Sequence, residues 1–366
     1  MMVPEPIRAA QPDRREQRRA ERDAVPRVVA LGGGTGLPNV LRGLRPLLFA
    51  ADSQEASNDR LVAIVATSDD GGSSGRLRAE FNIIPPGDIR NCLAALSDNH
   101  QSIADIFQYR FGAGEGLNGH AIGNLVLTAL ADVTHDFARA VEIAARVIGA
   151  RGTVLPATTE LVTLVAEFED GRVTSGETAI AAAGGRIARV GLIPDRPRSV
   201  PQACEAILRA DVIVVGPGSL FTSILPPLLV PDVHAAIRAS GAMRILVANL
   251  MTEPGETDDY SVLEHVLTIE RHLDAQLFDY VIYNTSPVPE ELAAKYDERG
   301  AQPIVTGKFE LSVLEKLGIQ PIGVPLVSEH PAGKIRHHPE RLAAAITALA
   351  QGKLGAWRAR TEAGGI

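Results

Sequence analysis

Two cysteines, Cys92 and Cys204, are all that this chain of 366 residues contains. They stand far apart with no C-x-x-C pair, which excludes a disulfide scaffold and a cysteine zinc cluster and fits a reducing cytosol. No apolar run reaches the roughly 18 residues of a membrane span, and the N-terminus has no apolar signal core. We therefore expect a cytoplasmic protein without membrane insertion. A basic excess is missing too: the net charge is −8, so no global positive field argues for nucleic acid or anionic lipid. H-E-x-x-H and histidine pairs at metal spacing are absent, and so is the G-K-S/T of a P-loop. Leu37 stands where G-x-G-x-x-G would need its last glycine.

What is present is a core-forming composition, 45% hydrophobic, long enough for one large α/β domain or two smaller ones. The most informative stretch runs from Ala66 to Asn91, after a short apolar strand at Leu61–Val65. It places Asp69 and Asp70 at that strand's end, then Gly71, Gly72, Ser73, Ser74, Gly75, Arg76 and Arg78. Small residues allow close backbone approach, hydroxyls and N–H groups bind phosphate oxygens, and arginine matches phosphate as a fork. The two carboxylates can bind a ribose hydroxyl or a divalent metal, and a plain Gly-Ser turn remains the simpler reading. Upstream, Val28–Leu31 reads as a strand leading through Gly32, Gly33, Gly34, Thr35 and Gly36 into a helix through Leu48. Strand, glycine turn and helix make the first half of a dinucleotide-binding βαβ unit, in which N–H groups at the helix start hold phosphate.

Further along, Pro85-Pro86-Gly87 breaks the chain and Asp88 caps a helix over Ile89–Leu96, with Arg90 and Asn91 in its first turn. Asn118, His120 and Asn124 stand in a second glycine-rich stretch before a helix from Leu125, either as ligand contacts or as structural polar groups. The texture turns β from Thr153 to Ile193, with a hairpin of Leu161–Phe168 and Arg172–Ile180 about Asp170-Gly171. A helix at Pro201–Arg209 and a strand at Val212–Val215 lead into a second small-residue loop. Gly216, Gly218, Ser219, Thr222 and Ser223 there can bind phosphate or sugar hydroxyls at a sheet crevice. Strands are expected at Arg244–Asn249, Tyr280–Tyr283 and Ile322–Val327, and helices at Ser261–Leu273, Pro289–Tyr296 and Pro339–Leu349. The polar Met251–Asp259 loop rims the same crevice or is simply a loop. Arg336-His337-His338 reads as a basic helix start.

The fold expected is a Rossmann-like, doubly wound, mostly parallel α/β sheet with an inserted β-hairpin and helical segment. One domain spans residues 27–350 with the insertion around 97–200. It lies between a flexible N-terminal tail, 1–26, with six arginines against five acidic residues, and a C-terminal tail, 351–366.

Taken together, G-G-G-T-G-L, D-D-G-G-S-S-G-R-L-R, P-P-G-D-I-R-N, N-G-H-A-I-G-N-L, D-V-I-V-V-G-P-G-S-L-F-T-S-I-L-P, M-T-E-P-G-E-T-D and I-R-H-H resemble the gluconeogenesis factor (YvcK-like) family. That family is related to the CofD-like 2-phospho-L-lactate transferases. The resemblance implies binding of a UDP-sugar such as UDP-N-acetylglucosamine, and a regulatory role in cell shape, envelope synthesis and gluconeogenic growth. It carries Gly33 to Gly36, Asp69 to Arg78 and Arg336 over as binding residues. Its alternative is a Mg²⁺-dependent phospholactate-type transferase, with Asp70 at the metal. Otherwise no cofactor is required and no catalytic residue is assigned. A homodimer stays open, and no protein partner is named. An NAD-dependent oxidoreductase is disfavoured by Leu37 and by the lack of an evident proton-transfer residue.

Overall fold

The computed structural model describes residues 25–49, 57–97, 101–330 and 333–352. Most of both expected tails, and residues 50–56 of the polar segment before Leu61, lie outside the described residues.

Seven strands form one sheet: β1 (Val28–Gly32), β2 (Leu61–Val65), β3 (Thr153–Pro156), β7 (Val212–Val215), β8 (Met243–Val247), β9 (Tyr280–Asn284) and β10 (Gln320–Val324). Their order is β10-β9-β8-β7-β1-β2-β3, and every pairing is parallel. The inner strands VVALG, LVAIV and VIVV are apolar throughout because both faces of the sheet are covered by helices. Successive side chains divide between two cores. Val28, Ala30, Val212 and Val214 pack with helices α1 (Gly36–Leu48), α3 (Gly87–Leu96), α5 (Ile122–Thr134), α6 (Phe137–Val147) and α14 (Pro339–Ala350). Val29, Leu31, Ile213 and Val215 pack with α8 (Pro201–Arg209), α10 (Pro231–Ala239) and α11 (Val262–Leu273). The period of two along each strand thus builds both layers. In α11, Ser261 and Glu264 close a capping box.

A second sheet of three antiparallel strands, β5-β4-β6, forms from β4 (Thr163–Phe168), β5 (Val173–Ser175) and β6 (Ile187–Ile193). Thr153–Pro156, read from sequence as part of this β texture, instead pairs with β2 as the edge of the central sheet. The second arm of the hairpin is also shorter than expected. β5 stops at Ser175, Gly176 turns at φ 96, and Glu177–Ala183 is a helix, α7. Alanine and glutamate favour helix in that run, and the glycine lets the chain change direction. Ile322–Val327 is likewise two elements. Pro325, which has no N–H to give a ladder, separates β10 from β11 (Val327–His330). β11 pairs antiparallel with β12 (Lys334–His337), an unexpected ribbon that carries Arg336.

Candidate functional site

β1 and β7 are neighbours in the sheet, yet their chains depart to opposite faces, β1 into α1 and β7 into the turn Leu220–Ile224. Such a switch point opens a crevice beyond the strand ends, where α/β sheets bind ligands. Here the crevice has a volume of ≈ 190 Å³, and Thr35, Gly36, Gly218, Ser219, Glu253 and Arg336 are among its walls. Gly34 and Ser223 also line it, and Gly34 takes φ 61, a conformation glycine adopts freely. Gly36 has a steric reason to be glycine: a Cβ there would lie 2.1 Å from the Pro217 carbonyl oxygen. The two small-residue loops can therefore meet only because both are nearly bare backbone. Asn249 fixes the second loop, accepting from the Gly218 N–H at 3.1 Å and donating to the Gly218 carbonyl at 2.7 Å. Gly33, Gly216 and Thr222 lie outside the crevice lining, and Thr222 is buried in the turn after β7.

Three carboxylates meet the glycine turns in different ways. Asp88 accepts from the Gly34 N–H at 2.6 Å, and burial raises its pKa to about 6 against the opposing pull of that hydrogen bond. It is not the cap expected from sequence: α3 already begins at Gly87 with no side-chain cap bond, and Asp88, inside its first turn, instead ties α3 to the first glycine loop. Asp69 accepts from the Gly71 N–H at 2.9 Å. Asp70 points away, accepting from both the backbone N–H (2.9 Å) and the hydroxyl (2.7 Å) of Thr178 at the start of α7. A Cβ on Gly176 would stand 2.3 Å from the other Asp70 oxygen. Among the described residues no group of three or more His, Cys, Asp or Glu side chains is arranged to hold a metal ion. Asp70 Oδ1 is taken up by Thr178, so in this arrangement Asp70 clamps the inserted segment onto the end of β2.

The Asp-Gly-Ser stretch is not a loop: from Gly72 it is helix α2 (Gly72–Phe81). Ser73 and Ser74 are buried at its start, and Gly72 is exposed. Ser73 belongs to an oriented chain of hydrogen bonds. Arg90 donates to Asn124 at 3.1 Å, Asn124 donates to the Ser73 oxygen at 3.0 Å, and the Ser73 hydroxyl meets His120 Nδ1 at 3.0 Å. Burial, then the charge of Arg76, lowers the His120 pKa. Arg90 also donates to Asn91 at 2.7 Å. Arg76 donates to the Asn118 carbonyl at 2.7 Å and Arg78 to Thr163 at 3.1 Å, so neither guanidinium lines the crevice. These polar residues hold one another and the elements around them.

Asn39 and Glu253 also face the crevice; Asn39 went unread in the sequence, and Glu253 was read only as part of a loop that rims the crevice or is simply a loop. Asn39, one turn into α1, lines it and donates to the His337 carbonyl. Glu253 accepts from the Ser219 hydroxyl at 2.9 Å through one oxygen, and its other oxygen is buried with no partner among the described residues. Burial raises the Glu253 pKa against that hydrogen bond. Glu256 is pushed up to about 8 by burial and by Glu253, and Glu177 on α7 to about 9 by burial and by Asp69, Asp88, Asp70 and Glu256. The polar, acid-rich texture of Met251–Asp259 was the available signal. The pairing of Ser219 with Glu253, 34 residues on, was not local enough to read. In β12 both Arg336 and the buried His337 line the crevice, and His337 meets the Ala248 carbonyl at 2.9 Å through Nε2. Burial holds His337 neutral, with its pKa lowered to about 4.

Comparison with known proteins places this arrangement. A family model described as 2-phospho-L-lactate transferase CofD matches residues 28–327. The gluconeogenesis factor of Bacillus subtilis (strain 168) is 41% identical over 324 residues, covering 88% of this chain and 98% of that protein. A putative gluconeogenesis factor from Nostoc sp. is 45% identical over 319 residues, 87% of this chain and 67% of that protein. A crystal structure of a UPF0052 family member from Bacillus halodurans superposes with a TM-score of 0.81 at 40% identity, covering 88% of this chain and 98% of the other. With a family match across most of its length and near-full-length relatives of this identity, the chain belongs to the CofD family and is a relative of the gluconeogenesis factors.

Proposed function

We propose that the protein binds a nucleotide sugar of the UDP-N-acetylglucosamine type in the switch-point crevice, as a cytoplasmic regulator of envelope synthesis and cell shape under gluconeogenic growth. The observation that carries the reading is the contrast of groups at the crevice. Bare glycine backbone at Gly34–Gly36 and Gly218 stands beside Arg336, with an unpartnered Glu253 oxygen opposite. Backbone N–H groups at the start of α1 and a guanidinium suit a diphosphate, and a carboxyl oxygen without a donor suits a sugar hydroxyl or an imide N–H. Nothing in the reading needs turnover, and relatives with the same fold are gluconeogenesis factors.

The transferase reading draws on the description of the matching family. It would use the same crevice for the nucleotide and would require a donor, an acceptor and measurable product. Titration calorimetry with UDP-N-acetylglucosamine, GDP and NAD, each with and without Mg²⁺, separates the readings. Metal-independent binding of the UDP-sugar alone supports the regulator, and at a hundredfold over its Kd it should add about 2.7 kcal/mol of stability. Mg²⁺-dependent preference for GDP, with turnover of a phospholactyl donor, would replace it with the transferase.

A further inference from the structure

Beyond the crevice, across Thr35, Asn39, Arg336 and His337, a second cavity of ≈ 560 Å³ opens between α1 and the β11–β12 ribbon. Its cations are Arg42, Lys334 and Arg336, against a single lining carboxylate, Glu329. Among the described residues none of the three cations has a carboxylate within salt-bridge distance. Arg42 and Arg336 are also close enough to disfavour one another. Burial first, then the neighbouring Arg336 and Arg45 charges, lowers the Arg42 pKa, with Cys92 opposing. Two guanidinium groups turned to one cavity with no carboxylate within salt-bridge distance repel one another at a cost that an anion would reduce. The cavity also shares Thr35, Asn39, Arg336 and His337 with the walls of the crevice. Thr35, Asn39 and Arg42 recur at four and three residues, one stripe of α1 running from the glycine turn into the annex.

We infer that this annex is an anion subsite, taking a carboxylate or phosphate group next to the nucleotide bound in the crevice. The group arrives either on the sugar of the nucleotide sugar or as a separate anion. The placement beside a nucleotide rests on the function proposed above; the anion site itself does not. Arg336 stands at the junction and serves both cavities, whereas Arg42 and Lys334 belong to the annex alone. The ligand class preferred by this chain is then an acidic nucleotide sugar, or a nucleotide sugar together with a small phosphate or carboxylate anion.

UDP-glucose and UDP-glucuronate differ only in a CH₂OH replaced by a carboxylate, so their comparison isolates the annex. By titration calorimetry at low salt on the full chain, wild type is expected to bind UDP-glucuronate about tenfold more tightly, which is about 1.4 kcal/mol. Arg42→Ala and Lys334→Ala should bring that ratio towards one and leave UDP-glucose affinity unchanged. Both side chains are partly open to solvent, and alanine favours helix at position 42, so both variants should keep the wild-type Tm. Inorganic phosphate titrated into the UDP-glucose complex tests the separate-anion source. A saturable signal that is lost in Arg42→Ala, with a sugar ratio of one, assigns the annex to a second anion. Equal sugar affinities and no Arg42-dependent phosphate signal would overturn the inference while the nucleotide reading stands. If neither UDP-sugar binds but phosphate binds through Arg42, the annex stands and the nucleotide reading falls.

Discussion

Two polar regions of this molecule looked alike as sequence and differ as chemistry. One is the chain Arg90–Asn124–Ser73–His120 beneath α2, and the other is the crevice between Gly36 and Arg336. In the first, Asn124 and Ser73 are committed to their neighbours at 3.0–3.1 Å, and only the Arg90 Nε is buried there without a partner among the described residues. In the second, a buried Glu253 oxygen has no partner among the described residues, and Arg336 has no carboxylate within salt-bridge distance. A buried polar cluster that largely satisfies itself rigidifies the fold, whereas open groups that line a crevice are placed to be completed by a ligand. Glycine, serine, asparagine and arginine in a row signal either outcome.

The sharpest break of this comparison is at Gly36. A methyl group placed 2.1 Å from the Pro217 oxygen must drive the two loops apart, because the obstacle is backbone and cannot rotate away. Gly36→Ala is expected to cost about 3 kcal/mol in chemical denaturation and to abolish nucleotide binding. Gly72→Ala provides the control: its Cβ would meet nothing within 4 Å, so only its φ of 47 is strained, at about 1 kcal/mol. Equal losses in the two variants would mean that the loop contact is not the constraint.

Next in size is a pair of substitutions that should act in opposite ways. Asn124→Leu leaves Arg90 and Ser73 without their partner in a buried place, at a cost of about 2 kcal/mol in stability with UDP-sugar affinity retained in the folded fraction. Arg336→Ala should leave the Tm unchanged and weaken UDP-sugar binding at least tenfold. If Asn124→Leu weakens binding as much as Arg336→Ala does, the network belongs to the site.

The pH dependence tests the part-buried glutamates Glu177, on α7, and Glu256. Glu177 and Glu256 have folded pKa values raised to about 9 and about 8, largely by burial. The unfolded chain loses these protons near pH 4.5, so the folded state binds more protons from there upwards. Their contribution is fully present below pH 4.5 and is lost as pH rises through 8 to 9. Stability should fall with rising pH over that window, with a slope on the order of 1 kcal/mol per pH unit. Glu177→Gln should flatten it; an unchanged slope in urea titrations between pH 6 and 9 would remove Glu177 as its source. His337 acts with the opposite sign, since its folded pKa is depressed to about 4 and its contribution is lost as pH falls from 6.5 towards 4.

Much of the frame was legible because its causes are local. Apolar runs such as VIVV and LVAIV can only be strands covered on both sides, and G-G-G-T-G after one of them marks a turn into a helix. The site was legible where it depends on bare backbone, at Gly34, Gly36 and Gly218, and Arg336 entered through the family resemblance alone. Elsewhere the deciding partner is remote in the chain. Nothing near Ser219 announces Glu253, and nothing near Arg78 announces Thr163, 85 residues on. Helix α7 was hidden by the strand texture before it and by a glycine turn that reads equally well as a hairpin end.

Asp70 shows the same limit, and it is the smallest effect to measure. Its place at the end of β2 reads as a ribose or metal ligand, yet Oδ1 accepts from both the backbone N–H and the hydroxyl of Thr178, 108 residues away. It therefore does for α7 what a cap residue does for its own helix, joining the inserted sheet to the central one. Asp70→Ala should cost about 1 kcal/mol, the usual value of a lost cap. The loss should be local, as faster hydrogen exchange in Glu177–Ala183 with the central strands still protected. Asp70→Asn keeps one oxygen for Thr178 and should recover part of that protection, whereas a metal ligand would not be replaced by an amide. Wild-type exchange at α7, with binding that becomes Mg²⁺-independent only in Asp70→Asn, would return Asp70 to the ligand side and move the boundary between the two regions.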